Sequence, residues 1–270
     1  MSKANELNIV CTYWGARMKR YASVLSASIT EHCPAATQHL RDVPKPDYHR
    51  ALRPDLMAHA RQAESWRDMA MSLPDGPAVF LDADMIVTGD LSDAFRDSPV
   101  TMDGVGRVNP NNPIGVTARA ARFRFNAGAL YAHLNGKSRQ FINDWHNDTQ
   151  HALHGDTDRL DRMIRDWASV DQAALASLAL GNSGVVELPC AKYNSVDQTW
   201  NDINDDTRVV HLKGKLRQTI DTIDTVGIPV NERKCLIEQN LKPNVQHVVD
   251  HWHALARGID EKNNKGGAAA

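Results

Sequence analysis

An open α/β sheet with flanking helices and a helical appendage at the C-terminus is the fold class that this 270-residue sequence predicts. Three observations carry the prediction. Short apolar runs suited to buried strands alternate with longer segments of helical period, the order that builds an open sheet covered by helices. The length suits one domain with elaborations, at roughly 100 to 200 residues per domain. Finally, two aspartates close the apolar run of "VFLDADMIVTGDL" (79–91), at the carboxyl end of a strand, where open α/β sheets bind their ligands.

The elements follow in order. "LNIVCTYW" (7–14) reads as a first buried strand, and Tyr21, Val24, Leu25, Ser28 and Ile29 then fall on one stripe of a helix. That helix should stop near Cys33, because proline disfavours a helical conformation in the residue before it. From Asp55 to Leu73 the apolar positions Leu56, Met57, Ala60, Trp66, Met69, Ala70 and Leu73 predict a second helix, closed by "PDGP". "AVFLDAD" (78–84) is the next strand. "FRFNAGALYAH" (123–133) and "GVVELP" (184–189) are further strands, with "KSRQFINDW" (137–145) and "DQAALASLAL" (171–180) as helices. From about Val230 the chain reads as helical and ends in "EKNNKGGAAA", the composition of a flexible tail. No internal repeat is present.

Composition narrows the functional classes. Hydrophobic residues make up 42% and charged residues 24%, an ordinary globular balance with enough apolar material for a core. Lys and Arg total 31 against 33 Asp and Glu, and the net charge of -2 predicts no general attraction to nucleic acid or to anionic membranes. Cys11, Cys33, Cys190 and Cys235 form no C-x-x-C pair, so neither a zinc module nor a disulfide framework is expected. "MSKANELN" lacks the apolar stretch of a secretory signal, and "AALASLAL" is too short to span a bilayer, which predicts a soluble, cytoplasmic protein. Trp14, Trp66, Trp145, Trp167, Trp200 and Trp252 are expected as core anchors, with Trp14 and Trp200 placed beside motifs.

Asp82 and Asp84 are two residues apart and so point to the same side of an extended chain, with small Ala83 leaving room for a ligand to approach. Oxygen donors in this arrangement suit magnesium or manganese, which keep positions open for water and substrate phosphates. The plain alternative is a solvated acidic loop. In "VVHLKGKLRQ" (209–218), His211, Lys213, Lys215 and Arg217 alternate, and an extended segment would place all four on one cationic face with Val210, Leu212 and Leu216 buried opposite. Gly214 would permit a turn or a close backbone approach. The alternative is an edge strand blunted by lysines. "HVVDHWH" sets His247 and His251 one helical turn apart, with Asp250 or His253 as a further zinc ligand; a solvated helix face is the preferred reading.

Six stretches taken in order resemble the glycogenin-like family of retaining glycosyltransferases. These are "NIVCTYW", "VFLDADMIVTGDL", "FNAGALY", "VDQAALA", "LPCAKYN" and "VVHLKGKLR", so that the resemblance extends over roughly residues 7–218. The resemblance implies a GT-A fold, a Rossmann-like, mixed but mainly parallel sheet. It divides the chain into a nucleotide-sugar transferase domain over 1–228, a helical extension over 229–262 and a tail over 263–270. It implies that Asp82, Asp84 and His211 hold manganese, or magnesium, on the diphosphate of a nucleotide sugar, a UDP-linked one. Thr12 and Tyr13 would flank base and ribose, and Asn126, Ala127 and Gly128 would line the sugar pocket. Asp171 and Gln172 would lie next to the reacting carbon, with Ala83 between the metal ligands. Gly214 and Lys215 would approach the diphosphate, and Arg61 would be the cation preceding the metal motif. Arg217 stands where the family has lysine, in "RQT" in place of K-P-W; its fork keeps the charge but changes the geometry.

The D-Q pair and the lack of an obvious general base in the matched stretches predict retention of configuration, although Asp171 could serve as a base. Two other functions fit parts of the sequence. "VFLDADMIV" resembles the nucleophile strand of haloacid dehalogenase-like phosphatases, but about 80 residues precede it and Ile86 takes the place of Thr or Val. A non-catalytic nucleotide-sugar-binding protein would keep the metal site. The acceptor stays open among a saccharide, a protein, a lipid-linked glycan and a modified nucleobase. "RVNPNNPIGVTARAA" (107–121) carries no acceptor motif, and "ARAARFRF" with "HLKGKLR" would form only a local basic surface.

Overall fold

The computed structural model describes residues 6–46, 54–96, 102–106, 125–154, 170–179, 182, 184–196, 199–226, 232 and 245–267. Strand β1 (Asn8–Tyr13) is buried nearly throughout, as expected of a strand covered on both faces. Helix α1 (Gly15–His32) buries Tyr21, Val24, Leu25, Ser28 and Ile29, the stripe expected from the sequence, and ends with Cys33 as its C-cap. Strand β2 (Thr37–Asp42), helix α2 (Pro54–Ser72) and strand β3 (Gly76–Leu81) follow. Next come β4 (Met85–Val87), the short α3 (Asp93–Arg96), β5 (Met102–Gly106) and β6 (Phe125–Leu134). Helices α4 (Gly136–His154) and α5 (Val170–Ala179), strand β7 (Val185–Leu188) and the short α6 (Cys190–Tyr193) lead to β8 (Val209–His211). Helices α7 (Gly214–Val226) and α8 (Gln246–Gly267) complete the described elements.

Six strands form one sheet in the order β2-β1-β3-β6-β5-β7. β1 pairs in parallel with β2 and β3, and β5 in parallel with β7, whereas β6 is antiparallel to both β3 and β5. Five strands therefore run one way and β6 alone runs back. Its N-terminal residues thus lie at the edge where β1 and β3 end, and this reversal brings Asn126 to the strand ends that carry Thr12 and Asp82.

Alternation along the strands divides the core into two layers. Ile9, Cys11, Val79 and Leu81 face a layer completed by α1, α7 and α8, while Val10, Ala78 and Phe80 face Trp66, Trp145 and Leu175 from α2, α4 and α5. Trp66, Trp145 and Trp252 are among the largest fully buried side chains. The C-terminal helix belongs to the first of these layers. Val248, Val249 and Trp252 pack in the same cluster as β1, and the helix continues to Gly267, into the segment expected to be a flexible tail.

A small antiparallel pair, β4 with β8, stands apart from the main sheet and sets Met85 opposite His211. Here the expected extended strip over 209–218 is corrected. The strand ends at His211, Gly214 adopts a positive φ of 59°, and the chain turns into α7. A short strand suffices because β8 has β4 as its partner, and glycine allows the left-handed turn that ends it. Lys213, Lys215 and Arg217 consequently share no strand face. Cys11, Cys33 and Cys190 are buried free thiols, while Cys235, Trp167 and the loop 107–121 lie outside the described residues. No helix among the described residues is long and apolar enough to cross a membrane.

Candidate active site

A cleft of about 560 Å³ opens at the carboxyl ends of β1 and β3. Its floor is built by strand endings. Thr12, the penultimate residue of β1, is 6% exposed and shares a 2.8 Å hydroxyl contact with Ser65 of α2. Tyr13 and Trp14 continue along the rim, and Gly15, at φ 79°, makes the turn into α1 that aims Met18 at the same opening. Asp82, Ala83 and Asp84 form the turn between β3 and β4.

Strand pairing fixes the third side chain of this group, His211. The Leu212 amide donates to the Asp84 carbonyl at 2.8 Å, and the β4–β8 register holds His211 against the carboxylate turn. His211 Nε2 lies 3.4 Å from Asp84 Oδ1 and 3.6 Å from Asp82 Oδ2. One ligand atom from each of Asp82, Asp84 and His211 can be chosen so that all lie within 4.8 Å of one another. Gly128 confirms how closely the chain approaches this group. A Cβ there would sit 2.6 Å from His211 Cε1 and 2.8 Å from Asp82 Oδ2, so no side chain fits without displacing the ligands. Two carboxylates and one imidazole form a donor set that suits a hard or borderline divalent cation with positions left for phosphate oxygens.

The electrostatics are uneven. Burial raises the pKa of Asp82, and the negative charges of Asp84 and Asp171 raise it further, against weaker opposition from His59 and from the Gln62 amide that donates to Asp82 Oδ1. Burial also works against ionisation of Asp84, but His211 and Arg217 outweigh it and hold its pKa below the ordinary carboxylate value. Arg217 Nη1 donates to Asp84 Oδ2 at 2.7 Å. A divalent cation at this point would relieve the crowding of carboxylates that raises the pKa of Asp82.

A chain of amides crosses the back wall. Asn194 Nδ2 donates to Asn126 Oδ1 at 2.9 Å, the Gly128 amide donates to the same oxygen at 3.0 Å, and Asn126 Nδ2 donates to Gln172 Oε1 at 3.4 Å. Asn194 is wholly buried and fixes Asn126 from behind. Asp171 and Gln172 open α5, and the Asp171 carbonyl accepts from the Trp145 indole at 2.7 Å.

Of the residues expected at a site, Thr12, Tyr13, Asp82, Ala83, Asp84, Asn126, Ala127, Gly128, Asp171, Gln172, His211 and Arg217 line this one cleft. Arg61, Gly214 and Lys215 do not. Arg61 pairs with Glu64 beside a separate cavity that includes His146, and Lys215 is exposed on α7. In the region where Arg61 was expected, the cleft instead carries His59, whose Nδ1 lies 3.5 Å from Asp171 Oδ1. His59 and Gln62 escaped the sequence reading. Their signal is a polar stripe on α2, since His59, Gln62 and Ser65 recur every third residue along a helix otherwise judged by its apolar face. His247 and Asp250 are exposed on α8, as preferred, whereas His251 faces α1.

No family model matches this sequence, and no curated protein does. Solved structures match its fold. A glycosyltransferase involved in the glycosylation of the major capsid of PBCV-1 superposes with a TM-score of 0.53 at 8% identity, over 79% of this chain and 97% of that one. The galactosyltransferase LgtC, in complex with donor and acceptor sugar analogs, gives a TM-score of 0.51 at 14% identity, over 84% and 99%. The apo form of the glycosyltransferase GlyE from Streptococcus pneumoniae TIGR4 gives 0.52 at 14% identity, over 96% of this chain but 64% of its own. At such low identity these likenesses show the fold, a GT-A-like mixed sheet with flanking helices.

Proposed function

We propose that this chain is a metal-dependent glycosyltransferase that moves a sugar from a nucleoside diphosphate donor, UDP-linked, to an acceptor with retention of configuration. The observation that carries the reading is the convergence of Asp82, Asp84 and His211 in one cleft with Asn126, Asp171 and Gln172. Asp82, Asp84 and His211 would hold the divalent cation, manganese or magnesium, which when bound offsets the charge on the diphosphate leaving group. Arg217, already beside Asp84, adds a fork of donors for phosphate oxygens. Thr12 and Tyr13 lie toward the nucleoside end, and the amide chain from Asn194 through Asn126 holds the Gln172 carboxamide where a sugar would sit.

What the chain offers the acceptor supports the retaining reading. Asp171 is 3% exposed and lies against His59, an arrangement that favours orienting donor hydroxyls over activating an incoming nucleophile. The bond from the anomeric carbon to the leaving phosphate breaks, a phosphate oxygen takes the acceptor proton, and the acceptor oxygen bonds to the same face of the sugar. Electrostatic stabilisation of the leaving group then supplies most of the acceleration. The fold weighs against the phosphatase alternative, since the solved structures it superposes on are glycosyltransferases, over 79–96% of this chain.

Calorimetry with UDP and manganese tests the reading. The wild-type protein should bind UDP only with the metal present, and Asp84→Ala should remove that binding while circular dichroism stays unchanged; undiminished affinity in the variant would overturn the assignment. A screen of UDP-sugars for turnover separates an enzyme from a binding protein. Proton NMR of fresh product from an α-linked donor should show an α-linkage, and a β-linked product would promote Asp171 to catalytic base.

A further inference from the structure

A second cluster of metal-ligating side chains lies away from the cleft, where the C-terminal turn of α1 meets α8. Glu31 and His32 come from the end of α1 and His251 from α8, and one ligand atom from each falls within a common 4.8 Å. His251 Nε2 is 3.5 Å from Glu31 Oε2, and His32 Nε2 is 4.0 Å from Glu31 Oε1. The two imidazoles stand with ring centroids 6.0 Å apart. We propose that Glu31, His32 and His251 bind a zinc-type transition metal that clips α8 to α1.

The donor set selects the metal. Two imidazoles and one carboxylate suit zinc and its borderline neighbours, whereas magnesium and calcium require mostly oxygen. Bonds of roughly 2.1 Å in a tetrahedral shell put neighbouring ligand atoms roughly 3.4 Å apart, close to the observed separation of His251 Nε2 from Glu31 Oε2. His251 Nε2 supplies an independent sign, since this nitrogen is shielded from solvent yet has no hydrogen-bond partner.

The surrounding packing prepares the site. Trp252, next to His251, is fully buried with its ring 5.4 Å from Tyr21, and Arg20 of α1 bonds to Asp260 of α8. The two helices are thereby fixed to each other by contacts that do not involve the three ligands. Met18 lines the cleft while His32 lies fourteen residues further along α1, roughly 21 Å at the helical rise. The cluster is therefore separate from Asp82, Asp84 and His211. Three protein ligands leave a fourth position for water. The consequence is a stabilising staple, because a ligand bound only by the folded chain shifts the folding equilibrium by mass action.

Zinc titrated into the full-length, metal-free Asp84→Ala protein, followed with a chromophoric chelator as competitor, tests the proposal without interference from the cleft. One equivalent should still bind, and zinc should raise the thermal unfolding midpoint. Adding His251→Gln should weaken binding roughly 100-fold, since even the loss of an outer-shell partner costs roughly 10- to 100-fold. His32→Gln offers a second variant should the first fail to fold. Cobalt in place of zinc should give the visible bands of a four-coordinate site in the Asp84→Ala protein and lose them on His251→Gln. Zinc affinity that is indifferent to both histidines, or absent once Asp84 is removed, overturns the proposal. The outcome is independent of the glycosyltransferase reading, because every measurement is made with the cleft's own ligand set broken.

Discussion

At the scale of single residues, the site depends as much on what is missing as on what is present. Gly128 has no side chain because His211 and Asp82 occupy the space that a Cβ would take, at 2.6 and 2.8 Å. The neighbours there are an imidazole fixed by strand pairing and a half-buried carboxylate held by the Gln62 amide, and neither can yield cheaply. Gly128→Ala should therefore weaken manganese binding at least about tenfold, as losses around a metal's ligands do, while leaving far-ultraviolet circular dichroism unchanged; unaltered manganese affinity by calorimetry would count against this crowding. Arg217 behaves differently. Its guanidinium reaches Asp84 from α7, and if its contact with a diphosphate strengthens as leaving-group charge develops, Arg217→Ala should lower kcat more than it raises KM. A rise in KM alone would mark it as a uniform binding contact. Asp82 and Asp84 stood out in the sequence because two carboxylates close an apolar run, whereas Asn126 entered only through the family resemblance. Asn194 was named only as part of a stretch. Its task of holding Asn126 from behind depends on a contact 68 residues away in the chain, which local spacing does not reveal.

At the scale of elements, the sequence predicted best where burial is complete. β1, β3, β6 and the buried stripe of α1 all appear where apolar runs and helical period placed them. β2 was missed because "TQHLRD" is a half-exposed edge strand whose pairing with β1, rather than its own apolar content, makes it a strand. β4 was read as the continuation of the motif rather than as a separate strand, and it is this strand that holds β8 and therefore His211. The strip after His211 was read as extended because its cationic residues alternate, but a period of two in charge does not outweigh a glycine able to turn the chain. Gly214 has open space where a Cβ would be placed and a φ of 59°, so the cost of a substitution there is purely conformational. Gly214→Ala should lose about 1–2 kcal/mol of stability, and Gly214→Asn should recover part of that loss, because asparagine tolerates the left-handed region better. Equal urea midpoints for wild type and both variants would show that this turn relaxes without strain.

At the scale of the whole molecule, α8 decides whether the cleft and the C-terminal segment act as one body. Arg20 of α1 bonds Asp224 of α7 at 2.6 and 2.8 Å and Asp260 of α8 at 3.0 and 3.1 Å, so a single guanidinium ties three helices together over the Trp252 ring, which is tilted against Tyr21. The same α7 carries Arg217 into the cleft, which links the C-terminal packing to the position of the guanidinium beside Asp84. Trp252→Ala should cost about 3–5 kcal/mol, the usual penalty for emptying a large aromatic site. Arg20→Ala should cost less, about 1 kcal/mol, because the pairs are partly exposed and screened. Its dependence on pH distinguishes an ionic tie from mere packing. Hydrogen bonding to Arg20 lowers the pKa of Asp260, against a smaller opposing effect of burial. A carboxylate whose folded pKa is depressed contributes stability above its unfolded value, near 3.9, and loses that contribution as pH falls through the folded value. The stability gap between wild type and Arg20→Ala should thus be full at neutral pH and shrink in acid below about pH 4. Urea unfolding across that range measures it, and a gap that stays constant from neutral to acid pH would assign the role of Arg20 to the packing of its stem over Trp252 instead of to its charge.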